Sequence, residues 1–593
     1  MSTATVDRLA TTTEEPAGRS SSRAPVPAAL FVLGIVLASM PGWLGGASLQ
    51  VTPDSGAYLS TAQNLVDGRG VTTPYPVETT SYSIEEQLAF DGAVPFTEWP
   101  PLYPVALGVL MAAGAGAVDA AQLLNTLALA ATLVLTSLLA RRLCGGRAVP
   151  VAAATALVLL GPVASTRDPL PGANPIGQSL LVLSEALYLP LFLGALLLAT
   201  YATGPRAGSG RRVRGGGAAL VAAATLTRFV GVAAGVGAAG ALALRNDRRR
   251  QVGRIAVLLA AGPVALVMWS LLRTAWWGAG SGEVVAWHPP GADQLRDLLD
   301  VLGSWCLLPP SLPWPVRAVV VCCVGGALLA VALHPRWRRQ VGGPELAVGR
   351  PAGDLLSALV IAAVAHVLIV LATVTFVDAW VPLSQRTLGV AQVALYLAAV
   401  GLVTGWVLQQ RVSVQRPVAL VGAVAVLLAC APGALWLVGA REQPVIGGGG
   451  GGAVAAGARR PEGSEASGGS DEASGAGPAR LVPDVPDDMV VVTNNPGLLW
   501  FDTQAQLLLA PRRTAALTGE RNPDLAIEAA EVAALLARRD GIVVLHDMGT
   551  DGTAVRDSLV EHGGLVALGG CGTPAEVLAT RTAADRISAQ LGC

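Results

Sequence analysis

Apolar positions along the chain are grouped on the scale of a bilayer rather than of a globular core. Runs near 28–46, 119–140, 148–165, 179–201, 253–273, 317–334, 354–377, 387–409 and 417–439 match the ~20 residues a helix needs to cross the hydrocarbon layer. A further block, 216–244, is too long for one helix and is split by Arg228, which predicts two short helices folded as a hairpin. The pattern predicts a mainly α, polytopic helix bundle of about 11 transmembrane helices. The stretch "PPLYPVALGVLMAAGAGAV", from Pro100, is apolar but short and has Pro104 in its first turn. It predicts a helix lying on the membrane surface rather than a span.

A second surface helix is predicted just after the first span, in "VTPDSGAYLSTAQNLVDGRG" at 51–70. Asp54 or Ser55 would be its N-cap, with Gly68 and Gly70 as its stop. Tyr58, Leu59, Ala62, Leu65 and Val66 form one helical stripe. After the last span the chain becomes a Gly/Ser/Ala/Glu-rich linker, 441–480, with no capacity to form a core. Alternation then returns over 481–593. "DMVVVTNN" and "GIVVLHD" read as strands, while "NPDLAIEAAEVAALLARRD" and "TPAEVLATRTAADRISAQL" read as amphipathic helices. That predicts a small α/β domain. The chain divides into a tail (1–27), a membrane domain (28–440, with 47–118 as first outer loop), the linker and this last domain.

Composition agrees with the membrane reading: of 593 residues 52% are hydrophobic and 14% charged, and mean hydropathy is +0.54. Net charge is −1, which removes any global electrostatic case for binding nucleic acid. All 40 basic residues are arginine. Arg141, Arg142, Arg147, Arg206, Arg211, Arg212, Arg214, the "RNDRRR" stretch at 245–250, "HPRWRRQ" at 334–340, Arg411 and Arg416 fall in every second connection. The positive-inside rule places those connections and the N-terminus in the cytoplasm and the α/β domain outside a plasma membrane. Cys571 and Cys593 are the two cysteines of that domain. An oxidising outer compartment would let them pair, contributing ~3 kcal/mol in the chain-entropy model. The other five cysteines have no metal-ligand spacing and read as packing residues.

A charge in the membrane costs ~3 kcal/mol on insertion scales, so embedded charges mark function. Glu185 in "LVLSEALYLPLF" falls inside the fourth span, Arg228 at the hairpin turn, and Arg273 and Arg386 at outer span ends. Glu185 would either pair with an arginine or touch substrate; Arg273, beside Trp276 and Trp277, reads as an interfacial anchor. His366 reads as a hydrogen-bonded core histidine, and His288 stays open. No phosphate-cradling glycine loop, HExxH or CxxC motif occurs, and the glycine run at 447–452 belongs to the linker.

The order "PDSGAYLSTAQNLVDGRG", "WPPLYPVALGVL", "AQLLNTLALAATLVLTSLLARRL", "SEALYLPLFLGALLL", "TLTRFVGV" resembles the GT-C superfamily of integral membrane glycosyltransferases. The likeness is to the branch of protein O-mannosyltransferases and lipid A aminoarabinose transferases. It covers most of 28–440, while "VVVTNNPGLLWFDTQAQLLLAPRR" resembles the outer segment of actinobacterial relatives. The resemblance implies transfer of a sugar from a polyprenyl-phosphate donor to the hydroxyl of a cell-wall glycan, lipid or protein at the outer face. Asp54 matches the family's acid after the first span and would be the base, with Glu98 as a second acid for acceptor or metal. Arg228 and Arg386 would hold the donor phosphate, since arginine binds phosphate as a fork. Tyr58, Tyr103, Asp168 and Glu185 are the candidate substrate-binding residues. No metal site is assigned, and a divalent metal requirement stays open. A transporter or flippase of a lipid-linked glycan is the alternative, although it would call for inverted repeats that the sequence lacks. A scaffold whose outer domain binds cell-wall polymer is a further one.

Overall fold

The computed structural model describes most of residues 52–410, a few positions of 415–430 and most of 485–591. Residues 1–51, 78–82, 161–180, 202–209, 278–286, 336–348, 431–484, 515–520, 547–549 and 569–574 fall outside that description, with isolated shorter gaps. The expected first span, the linker, Asp168, Cys571, Cys593 and most of 417–439 therefore lie outside the described residues. The five described cysteines are free.

The predicted surface helix forms as α1, Pro53–Val66. Its N-cap is neither Asp54 nor Ser55 but Thr52, whose hydroxyl accepts from the Ser55 amide (3.3 Å), while Ser55 Oγ accepts from the Thr52 amide (2.9 Å). This reciprocal pair, with Pro53 in the first turn, satisfies the helix start and leaves the Asp54 carboxylate for other work. Gly68 and Gly70, at φ +77° and +81°, end the helix as expected. The helix does not lie on a surface by one stripe. Ser55, Ser60, Thr61 and Asn64 are buried together with Tyr58, Leu59 and Ala62, whereas Val66 is exposed. Protein covers the polar side. Asn64 Nδ2 donates to Thr72 Oγ1 (3.1 Å) of a small antiparallel ribbon, β1 (Thr72–Thr73) with β2 (Val94–Pro95). Helices α2 (Ile84–Ala89) and α3 (Leu102–Ala112) complete the segment, α3 being the short helix expected after Pro100.

The bundle comprises α4 (Ala117–Leu143), α5 (Ala148–Leu160), α6 (Ser184–Tyr201), α7 (Gly210–Thr227), α8 (Val232–Ala243) and α9 (Arg248–Trp277). After α10 (Ala292–Trp305) it continues with α11 (Trp314–Leu333), α12 (Gly349–Phe376) and α13 (Gln385–Gln409). Five of these, α4, α9, α11, α12 and α13, are long and apolar enough to cross a membrane, so the described residues do not by this measure supply the eleven spans expected. The apolar block 216–244 breaks where the sequence placed the break. Arg228 is extended (φ −149°, ψ 134°) between α7 and a short 3-10 turn, Phe229–Gly231, that leads into α8. Small residues seat α8 against α12: a Cβ on Gly237 would stand 2.5 Å from the Ala358 carbonyl and 2.4 Å from the Ala362 methyl, the close approach that membrane helices use. Helix α10 lies between the apolar runs 253–273 and 317–334, in a stretch for which no element is predicted above. Its Leu298, Val301, Leu302 and Trp305 fall at helical spacing and face the core cluster.

The last segment is an α/β domain. Strands β3 (Val490–Thr493), β4 (Gln506–Leu509), β5 (Gly541–Leu545), β6 (Leu565–Ala567) and β7 (Glu576–Thr580) form one sheet in the order β4-β3-β5-β7-β6. The first three are parallel, with Val491 opposite both Leu507 and Ile542, and β7 runs antiparallel to its neighbours. Helices α14 (Pro496–Leu499), α15 (Leu525–Arg538), α16 (Thr550–Glu561) and α17 (Ala584–Leu591) flank it. The stretch "TPAEVLATRTAADRISAQL", read as one helix, is instead β7 followed by α17. Val577, Leu578 and Ala579 are all buried because β7 sits between β5 and β6 with both faces covered, and that tertiary demand overrides local preference.

This domain packs on the 52–118 segment. Ile84 enters the core on one face of the sheet and Tyr75 the core on the other. Gln87 Oε1 accepts from the Leu509 amide (2.8 Å), satisfying a donor of edge strand β4. The α1 backbone at Gly56 approaches Gly497 of α14 so closely that a Cβ there would lie 2.0 Å from the Gly497 carbonyl oxygen. The two segments therefore pack as one body at the head of α1.

Candidate functional site

Four charged side chains, each from a helix end, meet where α1, α6, α13 and the α7–α8 break converge. Asp54 is the second residue of α1 and Glu185 the second of α6. Arg386 is the second of α13, and Arg228 fills the break. Glu185 is thus at a helix N-terminus rather than inside a span, a position where the backbone dipole favours a carboxylate.

Glu185 Oε1 receives Nη1 of Arg228 at 2.6 Å and Nε of Arg386 at 2.7 Å. Arg386 turns its other arm, Nη2, to Asp54 Oδ2. One guanidinium therefore bridges two carboxylates, which the planar fork of arginine permits. Exposure divides the cluster: the Glu185 side chain is 2% exposed, whereas Asp54, Arg228 and Arg386 are 26%, 24% and 28% exposed. The glutamate is the inner strut, and the base candidate and both guanidiniums are on the open side.

Ser184 is the second hub, and the sequence reading missed it. Its Oγ accepts from the Tyr58 hydroxyl (3.1 Å) and from Arg228 Nη1 (3.3 Å) and donates to Glu185 Oε2 (3.5 Å). The same segment fixes α1: Ser55 Oγ donates to the Val182 carbonyl (3.0 Å), and Asn125 Nδ2 donates to the Leu181 carbonyl (2.7 Å). Tyr103 donates to Asn125 Oδ1 (3.1 Å), and its ring meets that of Tyr58 edge-on at 5.1 Å between centroids. Burial and the nearby Asp54 charge push the Tyr58 phenol well above its usual value, so it remains a donor. Phe96 and Trp99 close the aromatic wall around Tyr58.

The bond network behind the arginines sets their direction. His366 Nε2 donates to the carbonyl of Thr387, next to Arg386, at 2.9 Å. That assignment makes Nδ1 the acceptor for the Tyr188 hydroxyl, 3.3 Å away. His366 is thus the hydrogen-bonded core histidine expected. Trp305 Nε1 donates to Gln385 Oε1 (2.8 Å), so α10 bears on the same helix start. Its apolar spacing was the available signal for this contact.

The remaining predicted residues are placed differently. Glu98 is half-buried in the segment leading into α3, not on a helix of the cluster. Its neighbour Thr97 accepts Nη1 of Arg273 at 2.8 Å, and Arg273 is only 6% exposed. Arg273 is therefore a buried tie between α9 and the 96–101 segment, not an interfacial anchor, because protein rather than the membrane–water boundary surrounds its guanidinium. Among the described residues no group of three or more His, Cys, Asp or Glu is disposed to hold a metal ion. The carboxylates of the cluster are neutralised by guanidiniums instead. The arrangement can hold a proton on Asp54 and bind an oxyanion with two arginine forks, both at one open face.

No protein-family model matches the chain, and no curated protein does. Solved structures that align over most of it include the following three. ArnT from Cupriavidus metallidurans bound to undecaprenyl phosphate is 14% identical, covering 93% of this chain and 97% of its own, with a TM-score of 0.45. The apo state of the same protein gives 14%, 93%, 98% and 0.42. The archaeal oligosaccharyltransferase AglB from Archaeoglobus fulgidus, in complex with an inhibitory peptide and a dolichol-phosphate, gives 11%, 88%, 69% and 0.43. Likeness at this level decides neither the fold nor the chemistry, which rest on the residues of the cluster.

Proposed function

We propose that the chain is a membrane glycosyltransferase that moves a sugar from a polyprenyl-phosphate donor to an acceptor hydroxyl at the outer membrane face. The observation that supports it most is the division of the cluster: one carboxylate and two guanidiniums on an open face, braced from behind by buried Glu185. A sugar on a prenyl phosphate already has a good leaving group. What remains is to activate the nucleophile and to stabilise the departing phosphate.

In this reading Asp54 takes the proton of the acceptor hydroxyl as its oxygen attacks the anomeric carbon. The bond from that carbon to the phosphate oxygen breaks, and its electron pair leaves with the polyprenyl phosphate. Arg228 and Arg386 hold that phosphate. Because Arg386 also clasps Asp54, a phosphate that draws this arm away leaves the carboxylate free to accept the proton. Ser184 and Glu185 position both arginines, and Tyr58 and Tyr103, buried at 1% and 0% exposure, back the cluster from the protein side. In this reading Glu98 meets the acceptor from the segment ahead of α3. The membrane domain acts within 28–440, Asp168 adds a substrate contact, and Cys571 with Cys593 close a disulfide in an extracytoplasmic domain. The protein sits in the plasma membrane with its N-terminus in the cytoplasm.

The test is transfer of labelled sugar from synthetic polyprenyl-phosphate donors by purified protein. Asp54→Asn should abolish transfer while donor still binds, and Arg228→Gln should weaken donor binding. Equal transfer by wild type and Asp54→Asn removes Asp54 as base. Wild-type protein that binds and translocates a lipid-linked glycan without transferring sugar would replace the enzyme by a transporter.

A further inference from the structure

The outer domain holds a second constellation that the reaction above does not use. Helix α14 leaves β3 on one face of the sheet, where Leu499 packs with Val491, Leu507, Ile542 and Val544. Helix α16 follows β5 on the opposite face, where Val555 and Leu559 pack with Val490, Val492, Val543 and Leu545. Strands β3 and β5 are parallel neighbours. Adjacent parallel strands whose following helices depart on opposite faces leave a crevice at their carboxyl ends, the place where open α/β sheets take ligands.

The residues at those two ends are Asn494, Asn495 and His546. The Asn494 amide ties the ends together: its Nδ2 donates to the His546 carbonyl (2.6 Å) and its Oδ1 accepts from the His546 amide (2.9 Å). Beside that bridge, Asn495 Oδ1 and His546 Nε2 are buried with no hydrogen-bond partner among the described residues. His546 is 7% exposed as a whole. Unpaired buried polar atoms destabilise a fold, and two of them at a switch point are accounted for by a ligand that completes them. The pair is also neutral, since burial pushes the His546 imidazole down to about 4. An amide oxygen that accepts and a neutral ring nitrogen that donates or accepts suit a pair of hydroxyls.

The crevice is also well placed. Asn495 immediately precedes α14, whose Gly497 carbonyl abuts Gly56, two residues beyond Asp54 in α1. We infer that the crevice binds ring hydroxyls of a saccharide acceptor and delivers it to the head of α1. The acceptor role rests on the transferase reading, while saccharide binding does not.

Full-length protein in detergent micelles, probed by saturation-transfer NMR with mannobiose and arabinobiose, tests it. Wild type should bind at least one of the two. Asn495→Leu and His546→Phe, which replace the unpaired atoms by apolar groups of similar size, should weaken that binding at least tenfold and raise the thermal midpoint of the outer domain. His546→Gln should retain part of the binding. A structural role for the two side chains predicts the reverse, a lowered midpoint with binding unchanged. That result, or no saccharide bound by wild type, overturns the inference. Binding that is lost in both variants while wild type transfers no sugar keeps the crevice and discards the transferase.

Discussion

Replacing Glu185 by glutamine separates strut from base. In the wild-type protein a single carboxylate oxygen receives two guanidiniums at 2.6 and 2.7 Å, and its side chain is 2% exposed. The amide keeps the shape but removes the charge, leaving Arg228 and Arg386 with Asp54 as their one remaining carboxylate in the cluster. Charge-assisted hydrogen bonds contribute about 1.5–3 kcal/mol each, and breaking a buried ion pair by removing one partner costs about 3–5 kcal/mol. Glu185→Gln should therefore lose about 3–5 kcal/mol of stability and weaken donor binding through misplaced arginines. Asp54→Asn is the counterpart. Asp54 is 26% exposed and bonds one arm of Arg386, so its replacement should cost about 1 kcal/mol at most yet abolish transfer. Paired measurement of thermal unfolding and of kcat and KM for the donor reads both effects. A Glu185→Gln protein with wild-type stability and donor KM would refute the strut. An Asp54→Asn protein that lost as much stability as Glu185→Gln would refute the division of labour.

Three further outcomes follow from other parts of the molecule. Because His546 titrates near 4 in the fold against 6.5 in the open chain, the unfolded state binds the extra proton first on acidification. The domain should then hold its stability above about pH 6.5 and lose up to about 3 kcal/mol as the pH falls toward 4; amide exchange over 541–545 should show this, and His546→Gln should abolish it. Gly56→Ala puts a methyl 2.0 Å from the Gly497 carbonyl, so about 1–3 kcal/mol of packing strain should speed amide exchange in α1 and α14 together and lower transfer. Exchange confined to α1 would show that the two do not bear on each other. Tyr58→Phe removes the hydroxyl that Ser184 accepts at 3.1 Å, worth about 1 kcal/mol, and should slow transfer less than tenfold, whereas Arg228→Gln should act far more strongly. Equal effects would mean that the phenol touches substrate.

Much of this site was legible as single residues and none of it as a cluster. Asp54, Glu185, Arg228 and Arg386 stand out because charge is expensive near a membrane, and the break at Arg228 was visible in an apolar block too long for one helix. What brought them together was not legible. The Glu185–Arg386 contact joins residues 201 apart and the Arg386–Asp54 contact residues 332 apart, and no local pattern encodes such pairings. Ser184 is a short hydroxyl beside a charge and carries no signal of its own. The cap of α1 was misread because Thr52, Asp54 and Ser55 all suit an N-cap, and only the return bond from Ser55 decides among them. In the α/β domain β7 was hidden because "EVLAT" tolerates a helix and becomes a strand only between β5 and β6.

The shared arm of Arg386 has an energetic logic in the proposed reaction. With donor bound, Asp54 carries one negative charge and the phosphodiester another. After transfer Asp54 is neutral and the departing phosphate monoester carries two. The charge facing the two arginines is unchanged; it has moved from carboxylate to phosphate. A guanidinium that contacts only one of them would be left behind by that shift. Arg386 presents a fork with one arm on Asp54 and the other braced on Glu185, so it can follow the charge by turning a side chain rather than by moving a helix. Lysine, a compact point charge, lacks the planar fork that spans the two carboxylates. Arg386→Lys should accordingly preserve net charge and yet lose transfer by about 10–100-fold, one charge-assisted bond of about 1.5–3 kcal/mol. The same exchange at Arg228, which makes a single-nitrogen contact to Glu185, should be milder, and equal losses at the two positions would remove the fork from the mechanism.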